Sequence, residues 1–136
     1  MLTHLLDTSA WIAHLQREPG WKVVSNLLAN PETRVGISAL SLVELHAQMR
    51  SNDRQEKFAG VVDDYRELFS QIVLFDETIA LRTTSLRQSA ESRVPAIDSM
   101  IAATAAHNDA ILVHRDPHFL SIPENMLKQE MLTADL

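Results

Sequence analysis

The sequence has no cysteine, only three glycines and five prolines in 136 residues, and few aromatic side chains, 5% in all. Without thiols it has no disulfide, no zinc site built on thiolates and no cysteine nucleophile, a usage that fits a reducing compartment. The scarcity of Gly and Pro, together with the lack of any repeat, linker or low-complexity tract, argues for one helix-rich domain, which we place over residues 1–136. No apolar run approaches the roughly 18 residues of a membrane span, so no membrane contact is expected. The opening MLTHLLDTSAWIAHL carries no basic leader and meets Asp7 and several polar residues early, so we expect no signal peptide and a cytoplasmic protein. Positive charge is also in short supply: 18 Asp plus Glu stand against 12 Lys plus Arg, a net charge of −6. Binding of nucleic acid through bulk charge runs on Lys and Arg, and the balance speaks against it. What the chain does have is apolar residues, 46% of the total, enough at this length for a single core.

The pattern of those residues alternates between short runs and longer helical spacings. Leu2–Leu6 reads as a buried strand and Thr8–Gln16 as a helix with Trp11, Ile12 and Leu15 at helical spacing. Trp21–Ala29 reads as a helix, Thr33–Ile37 as a second strand and Leu40–Arg50 as the helix after it. Asp53–Ser70 places Phe58, Val61, Val62, Tyr65, Leu68 and Phe69 three and four residues apart, the mark of an amphipathic helix of about five turns. Ile72–Phe75 follows as a third strand, then helices at Thr78–Ser89 and Ala96–His107, and Ala110–Val113 as a fourth strand. The tail from Pro123 fits a short helix or an edge strand. Strands separated by helices require crossover connections, which predicts an α/β fold: a three-layer α/β/α sandwich around a mainly parallel sheet.

In such sheets reactive groups gather beyond the carboxyl ends of the strands. Asp7 directly follows Leu5-Leu6, and Asp116 comes three residues after Ile111-Leu112-Val113. Glu44 and Asp98 lie near the starts of helices, where the dipole and free N–H groups favour an anion. Each acid alone has a structural explanation. Asp7 before Thr8-Ser9-Ala10 fits a helix N-cap, and Ser41-Leu42-Val43-Glu44 fits a capping box. Asp98 complements a helix dipole, and Asp116 before Pro117 suits a turn. What those explanations leave open is why all four fall at one edge. If the strands are neighbours, four carboxylates meet in one pocket and repel unless a cation sits among them. Mg²⁺ or Mn²⁺ takes such oxygen ligands and activates water toward a phosphodiester.

The surrounding strings resemble a known family. His4-Leu5-Leu6-Asp7-Thr8-Ser9-Ala10-Trp11 looks like the opening of PIN-domain nucleases, and Ile37-Ser38-Ala39-Leu40-Ser41-Leu42-Val43-Glu44-Leu45 resembles their second motif. Pro95-Ala96-Ile97-Asp98-Ser99-Met100-Ile101-Ala102-Ala103-Thr104-Ala105 is similar to the third, and Leu112-Val113-His114-Arg115-Asp116-Pro117-His118-Phe119 to the fourth. The motifs come in family order from residue 4 to residue 119, and with this length the chain looks most like VapC-type toxins of bacterial toxin–antitoxin pairs. The resemblance implies a PIN-like sandwich and a Mg²⁺- or Mn²⁺-dependent endoribonuclease, with Asp7, Glu44, Asp98 and Asp116 as metal ligands and catalytic residues. It also implies Thr8 as a supporting polar group, RNA as substrate, a cognate antitoxin as partner and a homodimer. His114 departs from the family, which more often has Thr or Ser there. It is either a contact to phosphate or pocket water, or a neutral structural donor. His118 admits the same two roles, and Phe119 is either core or a stacking platform.

Two other readings share the acidic pocket or the fold. A response-regulator receiver domain needs an acid pair after the first strand and a Lys near the last, yet the first strand ends in one acid and no Lys lies between Lys57 and Lys128. A catalytically silent PIN-like binding module would have lost an acid, and none is missing. Asp-x-Asp phosphatases and Asp-x-Ser-x-Ser adhesion sites fail on Asp7-Thr8-Ser9-Ala10-Trp11. The acidic balance is partly local: with the four candidate ligands set aside, 14 acids face 12 bases, a remainder of −2. Contacts to an RNA backbone fall to Arg82, Arg87 and Arg93, or to Arg50, Arg54 and Lys57, unless these are ordinary solvated surface. Val61, Val62, Leu68 and Phe69 serve either a dimer contact or the core.

Overall fold

The computed structural model describes residues 1–133. Along the chain run β1 (His4–Leu6), α1 (Thr8–Gln16), α2 (Trp21–Ala29), β2 (Val35–Ser38), α3 (Ala39–Ser51), a 3₁₀ turn at Gln55–Lys57 and α4 (Phe58–Arg66). Then follow β3 (Gln71–Val73), α5 (Glu77–Ser89), α6 (Ala96–His107), β4 (Ile111–His114), a second 3₁₀ turn at Pro117–Ser121 and β5 (Gln129–Met131). Every strand pairing is parallel, in the order β3-β2-β1-β4-β5. A receiver domain runs 2-1-3-4-5, so the topology removes that reading.

The central strand shows how the layers form. Successive side chains on a strand point to opposite faces, and Leu5 and Leu6, both fully buried, go to different cores. Leu5 packs with Leu112, Ile79, Leu86, Ile101, Ala105 and Phe119, the layer of α5 and α6. Leu6 packs with Ile37, Val113, Trp11, Val24, Leu45, Tyr65 and Phe69, the layer of α1 to α4. Burying each such aliphatic side chain contributes about 1.5–3 kcal/mol, which makes strands this short sufficient. Trp11 anchors the second layer edge-on to Tyr65 and Phe69, at centroid distances of 5.5 and 5.4 Å.

Two segments differ from the sequence expectation, and a third settles an open choice. The long helix over Asp53–Ser70 is a 3₁₀ turn followed by α4, which ends at Arg66. Asp53 adopts a left-handed φ of 57°, and the N–H groups of Leu68 and Phe69 both turn onto the Tyr65 carbonyl. The apolar spacing therefore runs on past the end of the helix. Val62 and Phe69 are buried and Val61 packs against the cluster that holds Phe69, leaving Leu68 exposed, so core packing accounts for most of this segment. The third strand ends at Val73; Leu74 points into solvent and Phe75 packs on the α5–α6 core. The tail resolves into an edge strand, β5, beside β4, while residues 134–136 lie outside the described residues. Leu132, just beyond β5, comes back against Gly20, which has φ +94° and where a Cβ would stand 2.8 Å from Leu132 Cβ. Glycine is required there on both counts.

Connections from β1 lead outward to β2 and β3, and the chain then returns to place β4 on the other side of β1. The crevice beyond the carboxyl ends of β1 and β4 is thus the topological switch point, the usual ligand position in open parallel sheets.

Candidate active site

Asp7 and Asp116 flank that crevice. Leu6 pairs in register with Val113, and the Asp7 N–H donates to the Val113 carbonyl at 3.0 Å, which fixes Asp7 against β4. Asp7 is also the N-cap of α1: its Oδ1 accepts from Ala10 N at 3.0 Å and from Ser9 Oγ at 2.6 Å. The capping role and the site role coexist, since the same carboxylate that ends β1 starts α1. Ser9 does a second job, because its Oγ accepts the Arg115 N–H at 3.0 Å and ties the β1–α1 corner to the segment leading to Asp116.

Glu44 reaches the site differently from the capping-box expectation. The N-cap of α3 is Ser38, whose hydroxyl accepts from Leu40 N, so Glu44 lies in the second turn. Its Oε1 accepts from Thr8 Oγ1 at 2.5 Å, and Thr8 Oγ1 lies 3.0 Å from Ser41 Oγ. Thr8 therefore positions Glu44 across the α1–α3 contact. Asp98 occupies the first turn of α6. Asp116 caps the second 3₁₀ turn, its Oδ1 accepting from His118 N at 2.9 Å and from His118 Nδ1 at 2.7 Å.

The electrostatics show that the acids share one field. Burial, first of all, raises the Asp7 carboxyl to about 7; the bonds from Ser9 and Ala10 oppose this, and the charges of Asp98 and Asp116 add to it. Asp98 is pushed up to about 6 by burial, then by the charges of Asp116 and Glu44, with His118 opposing and a hydrogen bond to Asp116 adding. Among the described residues no Lys or Arg forms an ion pair with any of the four; Arg115 pairs with Glu18 and Lys128 with Asp109.

His114 is fully buried. Its Nδ1 accepts the Asp116 N–H at 3.1 Å, which requires the proton on Nε2, 2.8 Å from Gln129 Oε1. Burial holds it below the ordinary histidine range, so it is the neutral structural donor, setting the backbone direction at Asp116. Phe119 is fully buried against it, with ring centroids 4.6 Å apart, and is core. His118 is exposed and attached to Asp116. Ser9 and Gln129 are the residues with positioning roles that sequence reasoning had not assigned. Ser9 was within a motif, whereas Gln129 in the ambiguous tail gave no signal.

The donor set fits a hard divalent cation: four carboxylates, one nearly inaccessible, with no cationic side chain neutralising them. As the side chains stand, no three His, Asp or Glu groups among the described residues enclose a common point closely enough to hold an ion. One oxygen of each of Asp7, Glu44 and Asp116 is turned onto Ser9 and Ala10, Thr8, or His118. Capture of an ion requires rotation of these carboxylates, whereas Asp98 has only the neighbouring Asp116 carboxyl as its partner.

No curated protein matches the chain in sequence. Solved structures resemble it over nearly its whole length. VapBC2 from Rickettsia felis bound to a promoter DNA fragment has 22% identity and a TM-score of 0.80, with 97% of this chain and 100% of that chain covered. DNA-bound VapBC from Salmonella typhimurium has 24% identity and a TM-score of 0.77, covering 96% and 98%. VapBC-5 from Mycobacterium tuberculosis, a member of the VapBC family of toxin–antitoxin systems, has 21% identity and a TM-score of 0.68, covering 98% and 100%. These likenesses show the fold. The sequence profile of the PIN domain matches residues 4–125, a span that holds all four acids, and this chain belongs to the PIN domain family.

Proposed function

We propose that this chain is a Mg²⁺- or Mn²⁺-dependent endoribonuclease and the toxin of a type II toxin–antitoxin pair. PIN domains are nucleases that in general use divalent metal ions. The observation that carries the reading is the set of Asp7, Glu44, Asp98 and Asp116 at the switch-point crevice, coupled in charge and without a cationic partner from Lys or Arg among the described residues. The VapBC names of the similar structures support the toxin–antitoxin assignment and a cognate antitoxin as partner. RNA is the substrate we assign, and the homodimer implied by the resemblance remains part of the proposal.

Asp7, Asp98 and Asp116 would hold the metal, with Glu44 as a further ligand or as acceptor for a bound water. When bound, the ion supplies Lewis-acid polarisation of a phosphoryl oxygen and a water of lowered pKa. The chain's own residues supply position. Ser9 and the Ala10 N–H orient Asp7, Thr8 orients Glu44, and His114 with Gln129 fixes the backbone at Asp116. Deprotonation of Asp7 and Asp98 accompanies capture of a cation, because their carboxyls are raised without one.

The test is cleavage of total RNA, read by mapping new 5′ ends after brief expression. Asp7→Asn and Asp98→Asn should each bring Mg²⁺- or Mn²⁺-dependent cutting down to background while the far-UV spectrum stays unchanged. Undiminished cutting by either variant, or full activity in EDTA, sinks the proposal.

A further inference from the structure

The acid crevice explains how a scissile phosphate is held and leaves open what grips the rest of a polyanion. We propose that the groove at the α5–α6 turn binds the sugar-phosphate backbone of the RNA beside the cut, with Arg87 and Arg93 pairing with substrate phosphates. This rests on the nuclease reading above and names the part of the chain that binds its substrate.

The groove has a volume of about 510 Å³ and is lined by Arg87, Gln88, Glu91, Ser92 and Arg93 over the buried Val94. Both arginines are exposed, and among the described residues neither forms an ion pair, whereas Arg115 and Lys128 are paired with Glu18 and Asp109. Two guanidinium groups against one carboxylate make this a locally cationic stretch on a chain of net charge −6. Its walls come from the end of α5 and the turn after it, and they are tied to the two segments that carry Asp98 and Asp116. On one side, the Glu91 N–H donates to the Ser121 carbonyl at 3.0 Å, fastening the turn to the 3₁₀ segment that Asp116 caps. On the other, Val94 leads through Pro95 into the first turn of α6, where Asp98 sits, and Ser99 Oγ closes that corner on the Pro95 carbonyl at 2.8 Å. The groove therefore adjoins the segments of Asp98 and Asp116, on one of the sides by which a phosphodiester chain with one phosphate at the acids can leave. Arginine's planar fork of donors matches phosphate oxygens two at a time.

The other basic cluster, Arg54 and Lys57, lines a separate groove with Leu15, Gln16, Gln48 and Met49. Both α1 and α3 start at the acid edge, and α3 has 13 residues, so Met49 near its far end stands well over 10 Å along the axis from its start. That cluster is a charge-matched control.

The experiment measures the affinity of a fluorescein-labelled single-stranded RNA oligonucleotide at several KCl concentrations, in an Asp98→Asn background that prevents cutting. Each phosphate contact contributes roughly 0.7 to the slope of log K against log salt for a single strand. Arg87→Gln with Arg93→Gln is expected to lower the magnitude of that slope by about 1.4, while Arg54→Gln with Lys57→Gln leaves it unchanged. A slope unaffected by the groove substitutions overturns the assignment, and so does an equal drop in the control, which would mark a net-charge effect. Loss of poly(L-glutamate) binding with RNA binding intact also overturns it and gives the groove to an acidic protein. Wild-type RNA cleavage alongside an unchanged slope removes the groove alone; a wild-type chain that neither binds nor cuts RNA removes the nuclease reading with it.

Discussion

The two sides of the acid crevice are built differently. On the side of α1 and α3, Asp7 and Glu44 are fixed by donors from their own layer: Ser9 and the Ala10 N–H for one, Thr8 for the other. On the side of α6 and β4, Asp98 and Asp116 face one another, and the exposed His118 bonds Asp116. On the first side both carboxylates are held by donors; on the second Asp116 is held by His118 and through its N–H by His114, and Asp98 has the Asp116 carboxyl as its partner. Burial and mutual repulsion raise the Asp7 and Asp98 carboxyls, which eases the repulsion among four acids when no cation is present.

The largest expected difference between the two sides is in stability without metal. Raised carboxyls bind protons in the folded state at pH values where the unfolded chain, with Asp near 3.8, has released them. Their contribution is therefore fully present in acid and is lost as pH rises through about 6 to 7. Asp7→Asn should remove most of that dependence and raise metal-free stability at pH 8 by on the order of 2–4 kcal/mol, since Asn also caps helices. Asp98→Asn, at a half-buried position, should gain clearly less. Denaturant melts across pH 5–8 in EDTA measure both, and equal gains would erase the distinction.

Next in size is His114→Ala, which leaves a cavity and strips partners from the Asp116 N–H and from Gln129. A loss of about 2–3 kcal/mol is expected in the same melts. His114→Gln should restore part of it if hydrogen bonding, rather than ring volume, is what Asp116 needs. Thr8→Val tests the side of α1 and α3, and a 10–100-fold rise in the Mg²⁺ concentration for half-maximal cleavage is expected, the usual cost of losing a group that orients a ligand. The smallest effect is expected from His118→Ala, which breaks an exposed pair and should change stability by less than about 1 kcal/mol. A larger loss would show that His118 is a principal holder of the Asp116 segment.

Much of this was legible in the chain because its signals are local. The alternation of Leu2–Leu6 with Thr8–Gln16 and its successors specified strand and helix, and the motif strings singled out Asp7, Glu44, Asp98 and Asp116 as candidates. Signals failed where a pattern outlasts the backbone that should follow it. Leu68 and Phe69 continue the spacing of α4 beyond its end, and Leu74 continues an apolar run beyond β3 into solvent. Ser41 looks like a cap because serine three residues before glutamate satisfies that local rule; Ser38, three residues earlier at the end of β2, takes the role instead.

By itself the sequence determined the identity and order of the elements and the acids that end up at one edge, because hydrophobic period and residue type act over a few neighbours. The strand order, with β1 flanked by β2 and β4, was decided only in three dimensions. So was β5, a three-residue strand with two exposed positions that exists through its pairing with β4. The same holds for the partners of the acids. Thr8 meets Glu44 from 36 positions away, Ser9 meets the Arg115 N–H from 106, and Gln129 meets His114 from 15. Contacts between residues so far apart leave no period to read, and the packing of both layers on a twisted parallel sheet is what brings them together.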